Sequence, residues 1–227
     1  MTEAEWLSAT DPRMMLEFLR GEASDRKLRL FALVCLTAVD VRLRDARSRA
    51  AVAMLEDYAD RRASQQSLLE AHAEALDAMN EAFEDASEQR WFLADYAACA
   101  AVCVAVDAHP IDIVDVSRCC LDSVGALATG VNESHLRAAE SARQSEMIHC
   151  VFGNPFAHVA FDPAWRSETA FALATGIYAN HAFDRLPILA DALEEAGCDH
   201  PDVLSHCRGP GPHARGCWVV DGVLGKE

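Results

Sequence analysis

The segment SDRKLRLFALVCLTAVDVRL, residues 24–43, carries the pattern that decides the fold of this chain. Ser24 and Asp25 are both of types that favour a helix N-terminus, so the helix is expected to begin at one of them. The apolar residues that follow have the spacing of one face of an α-helix: Leu28, Phe31, Ala32, Cys35 and Val39. The segment therefore predicts an amphipathic helix with one face buried against other elements.

Helix signals of the same kind recur along the chain. Thr2 and Glu5 have the spacing of a capping box, which indicates a short first helix. Asp11 and Pro12 indicate the start of a second helix, and Gly21 marks its end. The many alanines allow helices to approach one another closely. We therefore predict an all-α fold with the form of an antiparallel helical bundle.

The composition changes at CVFGNPFAHVAFDPAWRSETA, residues 150–170. Glycine and proline interrupt the helical period there, and aromatic residues follow at close intervals: Phe152, Phe156, Phe161 and Trp165. This change predicts a boundary between a helical bundle body, residues 1–149, and a smaller helical C-terminal module, residues 150–227. A loop this apolar would expose a large apolar patch if it lay free in solvent. We therefore expect the body and the module to share one core.

Charge and cysteine usage restrict the class of protein. The formal net charge of −16 repels nucleic-acid phosphates and anionic lipids, so we expect neither nucleic acid nor a membrane as partner. The basic residues concentrated in residues 26–50 are expected to form a solvated helix face, the alternative being an anion or partner site. Nine cysteines within apolar stretches suit a reducing compartment, and no secretory signal is evident at the start. The expected location is cytoplasmic.

The segment GCDHPDVLSHCRGPGPHARGCW, residues 197–218, concentrates the residues that bind metals. A tetrahedral zinc site needs four nitrogen or sulfur ligands, and the segment offers these candidates: Cys198, His206, Cys207, His213 and Cys217. Adjacent helical residues point about 100° apart, so His206 and Cys207 bind one ion only if the helix ends there. The spacing also lacks the two close pairs typical of zinc sites. It favours a metal-free corner turned by proline and glycine over a metal centre.

Two other kinds of chemistry are compatible with these residues. One is a cysteine-dependent enzyme, with Cys207 or Cys217 as the nucleophile, His206 or His213 as its base, and arginines nearby in sequence. The other is haem or another pigment, held by inward-pointing cysteine and histidine side chains of a helical bundle. The chain has no glycine-rich phosphate loop, Gly-x-Ser-x-Gly elbow or His-Glu-x-x-His motif. Nucleotide, α/β-hydrolase and metalloprotease chemistry are therefore disfavoured.

The two ends of the chain carry long motifs. The start, MTEAEWLSATDPRMMLEFLRGEASDRKLRLFA, and the end, including AFDRLPILADALEEAGC and HCRGPGPHARGCWVVD, resemble an uncharacterised family expanded as paralogues in planctomycete bacteria. The resemblance implies no activity, cofactor or catalytic residue. The family pattern has Cys-Cys-Arg-Arg and a tryptophan where this chain reads VCLTAVDVRL, so Cys35 stands alone here. If the family binds metal with that pair, this chain lacks one ligand.

These observations lead to an ordered set of functional hypotheses. The first is a non-enzymatic protein-interaction or scaffold module whose acidic surface faces a protein partner. The second is a metal- or cofactor-binding protein that uses the C-terminal cysteine and histidine residues, with the cofactor left open and zinc as one candidate ion. The third is the cysteine-dependent enzyme.

Overall fold

The computed structural model of the protein describes residues 1–86, 92–107, 111–126 and 131–226. Within these ranges the chain forms twelve α-helices and no β-strand. The prediction of an all-α fold is confirmed. The chain divides into two compact units, Met1–Ser145 and Glu146–Glu227.

The first unit contains seven complete helices and most of an eighth. Their bounds are α1 Glu3–Ser8, α2 Pro12–Leu19, α3 Asp25–Leu36, α4 Ala46–Ala59, α5 Gln65–Ala86, α6 Phe92–Val106, α7 Ile113–Ala126 and α8 Val131–Phe152. A short 3₁₀ turn at Asp40–Arg42 connects α3 to α4. Helix α8 continues beyond the unit boundary, so its last turns belong to the second unit. The expectation that body and module share one core stays a prediction.

The first helices begin where the capping signals predict. The Thr2 side chain accepts a hydrogen bond from the Glu5 backbone N–H, and the Glu5 carboxylate accepts one from Thr2 N–H at 2.7 Å. Asp11 caps α2, which has Pro12 at its first position. Ser24 caps α3 by accepting from Lys27 N–H at 3.3 Å. Local hydrogen-bond chemistry therefore fixes these three helix starts.

The core of the first unit is built around α6. This helix is apolar on nearly all sides, and its residues 98–103 are all buried, as are Ala105 and Val106. Helices α4, α5, α6 and α7 each pack on their neighbour in sequence, and α3 packs on α4 and α7. A helix without a polar face is stable only when surrounded by other helices. The apolar composition of α6 therefore explains its central place.

The second unit contains the end of α8 and four further helices. Their bounds are α9 Glu168–Asn180, α10 Leu186–Glu195, α11 Pro201–Arg208 and α12 Trp218–Leu224, with 3₁₀ turns at Pro163–Trp165 and Phe183–Arg185. Helix α10 packs on α9 and α11, and α12 packs on α9 and α11. No helix in the described parts of the chain combines the length and the apolar character needed to cross a bilayer.

Candidate metal centre

Four side chains that can bind a metal ion meet in the second unit. They come from three helix ends and a loop: Cys150 in the last turn of α8, His206 in α11, His213 in the loop that follows, and Cys217 at the N-cap of α12. Each residue offers one ligand atom, and all four atoms lie within 4.8 Å of one another. This is a compact Cys₂His₂ set.

The individual distances agree with a site for one small ion. His206 Nε2 lies 3.2 Å from Cys217 Sγ, and His213 Nδ1 lies 3.6 Å from Cys150 Sγ. In a tetrahedral zinc site, bonds of about 2.0 to 2.3 Å place neighbouring ligand atoms roughly 3.3 to 3.8 Å apart. The two ligand atoms that lie furthest apart, within 4.8 Å, would therefore have to approach each other by about 1 Å or less to bind one ion.

The turn between α11 and α12 brings the two histidines to Cys217. Helix α11 has a proline in its first turn and ends at Arg208, where the Gly-Pro-Gly-Pro sequence prevents its continuation. Gly216 has φ +92°, a left-handed conformation that glycine adopts without strain. Cys217 N–H then donates to Ala214 O at 3.0 Å. The chain is thus folded back sharply enough for His213 and Cys217 to face His206.

The end of α8 reaches this site because it packs on the first residue of α12. Gly153 has φ +67° just beyond α8, and a Cβ atom there would lie 3.2 Å from Cγ of Trp218. Trp218 follows Cys217 directly and also contacts the His206 ring, with a centroid distance of 5.4 Å. The absent side chain of Gly153 therefore permits the close approach that brings Cys150 to Cys217.

The surroundings of Cys217 favour the ionised form of its sulfur. Burial acts to raise the pKa of this fully buried thiol, but hydrogen bonds with Cys150, His206 and His213 outweigh it, and the charge of His206 adds to them. The pKa of Cys217 consequently lies well below its usual range. A thiolate is the form that binds metal ions.

One imidazole nitrogen of the site lacks a partner. His213 Nε2 is buried and makes no hydrogen bond with any residue in the described part of the chain. A buried polar atom without a partner costs roughly 1 to 3 kcal/mol. The other ring nitrogen, Nδ1, faces Cys150 and is the one placed to bind an ion, so the ring proton would then lie on Nε2.

The structure brings together three of the five residues that the sequence singled out. His206, His213 and Cys217 belong to the set, whereas Cys198 and Cys207 do not. The helical geometry explains the difference at Cys207. Helix α11 continues through Arg208, so His206 and its neighbour point in different directions and only one of them faces the site.

Cys207 and Cys198 are nevertheless buried beside it. Burial raises the pKa of the Cys207 thiol well above its usual range, and the neighbouring Cys217 and Cys198 sulfurs add to this effect. Burial also raises the pKa of Cys198, while the backbone N–H of His200 opposes the shift. These two thiols are therefore protonated and apolar in character near neutral pH.

The fourth member of the set, Cys150, was absent from the sequence prediction. It is 63 residues distant from His213 in the chain, so no ligand spacing connects them. Its position at the end of a helix, just before the change in composition, was the available signal.

Cys35 is not a member of the set either. It is fully buried in the first unit, where Arg143 and Glu140 are its electrostatic neighbours. The four candidate ligands thus do not include Cys35.

Comparison of the chain with family models, with curated proteins and with solved structures found no match, so the resemblance to the planctomycete family stays a prediction.

Proposed function

We propose that the second unit binds one Zn²⁺ ion through Cys150, His206, His213 and Cys217. The observation that carries the proposal is the meeting of these four ligand atoms within 4.8 Å. Two thiolates and two imidazoles form a ligand set typical of zinc, since softer sulfur and borderline nitrogen ligands select it over Mg²⁺ and Ca²⁺.

The proposed role of the ion is structural. Four protein ligands fill a tetrahedral zinc site and leave no position for a substrate or an activated water. Cys150 and Cys217 are also 2% and 0% exposed, so the sulfur side of the site is closed to solvent. The ion would connect the end of α8, the loop after α11 and the start of α12, which are separate segments of the chain.

The cysteine-dependent enzyme is less well supported by the same geometry. Cys217 has the lowered pKa that a nucleophile requires, but its side chain is fully buried and contacts three other ligand residues. A nucleophile has to meet a substrate carbonyl or phosphorus atom directly. Arg208, which sequence proximity suggested as an activating charge, instead pairs with Asp191 at 2.8 Å and Glu194 at 2.6 Å.

Haem is disfavoured by the small size of the cluster. Axial ligands bind the haem iron from opposite faces of a wide macrocycle, so the protein must leave a flat space between or beside them. Four ligand atoms from separate segments, all within 4.8 Å of one another, surround the volume of a single ion.

Metal analysis of the purified protein tests the proposal. The full chain is produced without an affinity tag that binds metal, loaded with Zn²⁺, and dialysed before elemental analysis. We expect one equivalent of zinc in the wild type and little in Cys150→Ser and Cys217→Ser. The matched control is Cys207→Ala, which removes a buried thiol of the same unit that lies outside the set.

Cobalt substitution supplies a second measurement that is independent of stoichiometry. Tetrahedral Co²⁺ with thiolate ligands gives intense visible d–d bands and sulfur-to-metal charge-transfer bands in the near ultraviolet. We expect these bands in the wild type and in Cys207→Ala. Zinc retained by Cys217→Ser, or lost equally in Cys207→Ala, would contradict the proposed ligand set.

A further inference from the structure

Helix α5 carries an apolar stripe on its solvent side, apart from the apolar face that it buries. Leu69, Leu76 and Phe83 follow at every seventh position and are 42%, 39% and 59% exposed. Seven residues are close to two helical turns, so the three side chains form a line along the helix. On another side of α5, Leu68 and Ala75 are completely buried. Helix α5 therefore presents apolar side chains in two directions, one of which faces solvent.

A groove between α4 and α5 adjoins this stripe. It has a volume of about 770 Å³, and small residues of both helices line it: Ala46, Ala50 and Ala51 on α4 and Ala71 and Ala73 on α5. Ala73 connects the two features, since it lines the groove and lies one turn from Leu69 and from Leu76. Groove and stripe together form the α4–α5 surface, in which the groove is a depression between the two helices and the stripe is a row of exposed apolar side chains that can pack on another helix.

The rim of the α4–α5 surface is acidic. Residues 65–86 include six Asp or Glu residues and no Lys or Arg. Glu70 and Glu74 line the groove, and Asp77 extends the same exposed edge. Within the described residues, Glu74 and Asp77 form no ion pair. The guanidinium group of Arg47, which lines the groove, is already paired with Asp45 and Glu81.

This charge restricts what can occupy the surface. A second copy of the chain would bring an equally acidic surface to it, and each copy has a net charge of −16. Like charges placed opposite each other cost several kcal/mol. Nucleic acids and anionic lipid surfaces are repelled for the same reason. The complementary occupant is a helix with an apolar stripe flanked by lysine or arginine.

We propose that the α4–α5 surface binds a basic amphipathic helix of a partner protein. The apolar stripe of that helix lies on Leu69, Ala73 and Leu76, and its cations lie beside Glu70, Glu74 and Asp77. This proposal gives a location and a partner chemistry to the predicted protein-interaction function. It concerns the first unit alone and does not depend on zinc.

Fluorescence anisotropy with a labelled synthetic peptide tests the proposal. The probe is a Leu/Ala/Lys helix as long as α5, with leucine and alanine on one face and lysine beside them. Two comparison peptides separate charge from shape: one carries glutamate in place of lysine, and the other has the lysine peptide's composition in scrambled order. We expect saturable, salt-sensitive binding of the first peptide only. Equal binding of the scrambled peptide would mean that general attraction to an acidic protein is the cause, and would overturn the proposal.

Charge-reversal variants then locate the binding site. We expect Glu70→Lys/Glu74→Lys to weaken peptide binding by about tenfold or more, because two attractions become repulsions. The matched control, Glu22→Lys/Glu195→Lys, changes net charge by the same amount at exposed positions elsewhere and should bind within about twofold of the wild type. Equal weakening in both variants would overturn the proposal.

A further pair of variants tests the apolar contact, and also the alternative that a second copy of the chain occupies the surface. Ala73→Arg places a long cation in the groove and should abolish peptide binding, whereas Ala139→Arg at an exposed position of α8 should not. All variants are first compared by circular dichroism, and these positions are exposed, so the fold is retained. Sedimentation velocity should find a monomer at micromolar concentration. A dimer that Ala73→Arg dissociates would assign the surface to a second copy and would overturn the proposal.

Discussion

His206 Nε2 lies 3.2 Å from Cys217 Sγ, although eleven residues of chain separate the two. The next residue, Trp218, contacts the His206 ring with a centroid distance of 5.4 Å. An ion held by His206 and Cys217 would therefore lie within a few ångströms of an indole ring. This arrangement makes Trp218 a natural reporter of metal binding.

We expect Co²⁺ to quench the tryptophan fluorescence of the protein as it fills the site, because an open-shell ion close to an indole accepts its excitation efficiently. The measurement is a fluorescence titration alongside the visible Co²⁺ bands. Trp218→Phe should lose most of the quenching while keeping the bands. Trp165→Phe is the matched control and should be quenched like the wild type, since this ring contacts Phe161 at 6.0 Å and is not paired with a ligand histidine. Undiminished quenching in Trp218→Phe would place the bound ion elsewhere.

Much of the fold was predictable because its signals are local. Thr2, Asp11 and Ser24 are caps that act within three residues of themselves, and each begins a helix in the structure. The apolar spacing around Phe31 and Cys35 likewise predicts the buried face of α3, where both residues are fully buried. Such patterns depend only on helical geometry, which the sequence carries directly.

The candidate site was predictable only in part, because one of its ligands comes from a distant segment. The sequence identifies His206, His213 and Cys217 since they lie close together in the chain. Cys150 reaches them through the packing of Gly153 against Trp218, a tertiary contact without a linear signal. The choice between His206 and Cys207 also depended on where α11 ends. A sequence pattern locates a helix end no more closely than one or two residues.

Burial of Arg29 gives a prediction for the stability of the first unit. This side chain is fully buried and donates to the carbonyl oxygens of Ala105 and Asp107 at 3.2 and 3.0 Å. It also pairs with Asp25 at 2.7 Å and lies over the Tyr58 ring. We expect Arg29→Met to lower the free energy of unfolding by about 3 kcal/mol, because the two carbonyls and Asp25 lose their donor.

Urea denaturation followed by circular dichroism measures this change. Arg20→Met is the matched control, since the Arg20 side chain is 69% exposed and its distance to Asp112 is 3.8 Å. An exposed pair of this kind contributes about 0.5 kcal/mol or less. A loss in Arg29→Met no larger than in Arg20→Met would mean that the buried network adds nothing to stability.

The buried thiols of α6 and α7 predict a loss of stability at alkaline pH. Burial raises the pKa of Cys103 and of Cys119 to about 11, from 9.0. Above about pH 9 the unfolded chain loses these protons while the folded protein keeps them, so unfolding becomes more favourable as the pH rises. The stabilisation that the two protonated thiols contribute is therefore complete below about pH 9 and is lost between about pH 9 and 11. At pH 10 the loss is roughly 1 kcal/mol for each thiol.

Denaturation curves at pH 8 and pH 10 check this prediction. Cys103→Ala/Cys119→Ala should be less stable than the wild type at pH 8, because two buried sulfurs leave cavities. Its further loss between the two pH values should be smaller by about 2 kcal/mol, since neither site can ionise. If the wild type and the variant lose the same free energy of unfolding between pH 8 and pH 10, groups other than Cys103 and Cys119 cause the alkaline effect.

Close packing at Gly222 predicts a large effect of a single methyl group in the second unit. A Cβ atom at this position of α12 would overlap the ring of Phe161, which also packs on Trp218 with a centroid distance of 6.0 Å. We expect Gly222→Ala to lower the free energy of unfolding by about 2 kcal/mol, although alanine is the better helix former.

Two further variants assign this cost to the Phe161 ring. Gly176→Ala lies in α9 with no heavy atom within 4 Å of the added methyl group, so it should stabilise the protein by about 1 kcal/mol through helix propensity alone. In the background of Phe161→Leu, which shortens the opposing side chain, Gly222→Ala should cost less than it does in the wild type. The difference is the coupling energy of a double-mutant cycle, and a value near zero would mean that the ring does not cause the destabilisation. Because Phe161 packs on Trp218, and Trp218 follows the proposed zinc ligand Cys217, the same overlap should also weaken zinc binding in Gly222→Ala and leave it unchanged in Gly176→Ala.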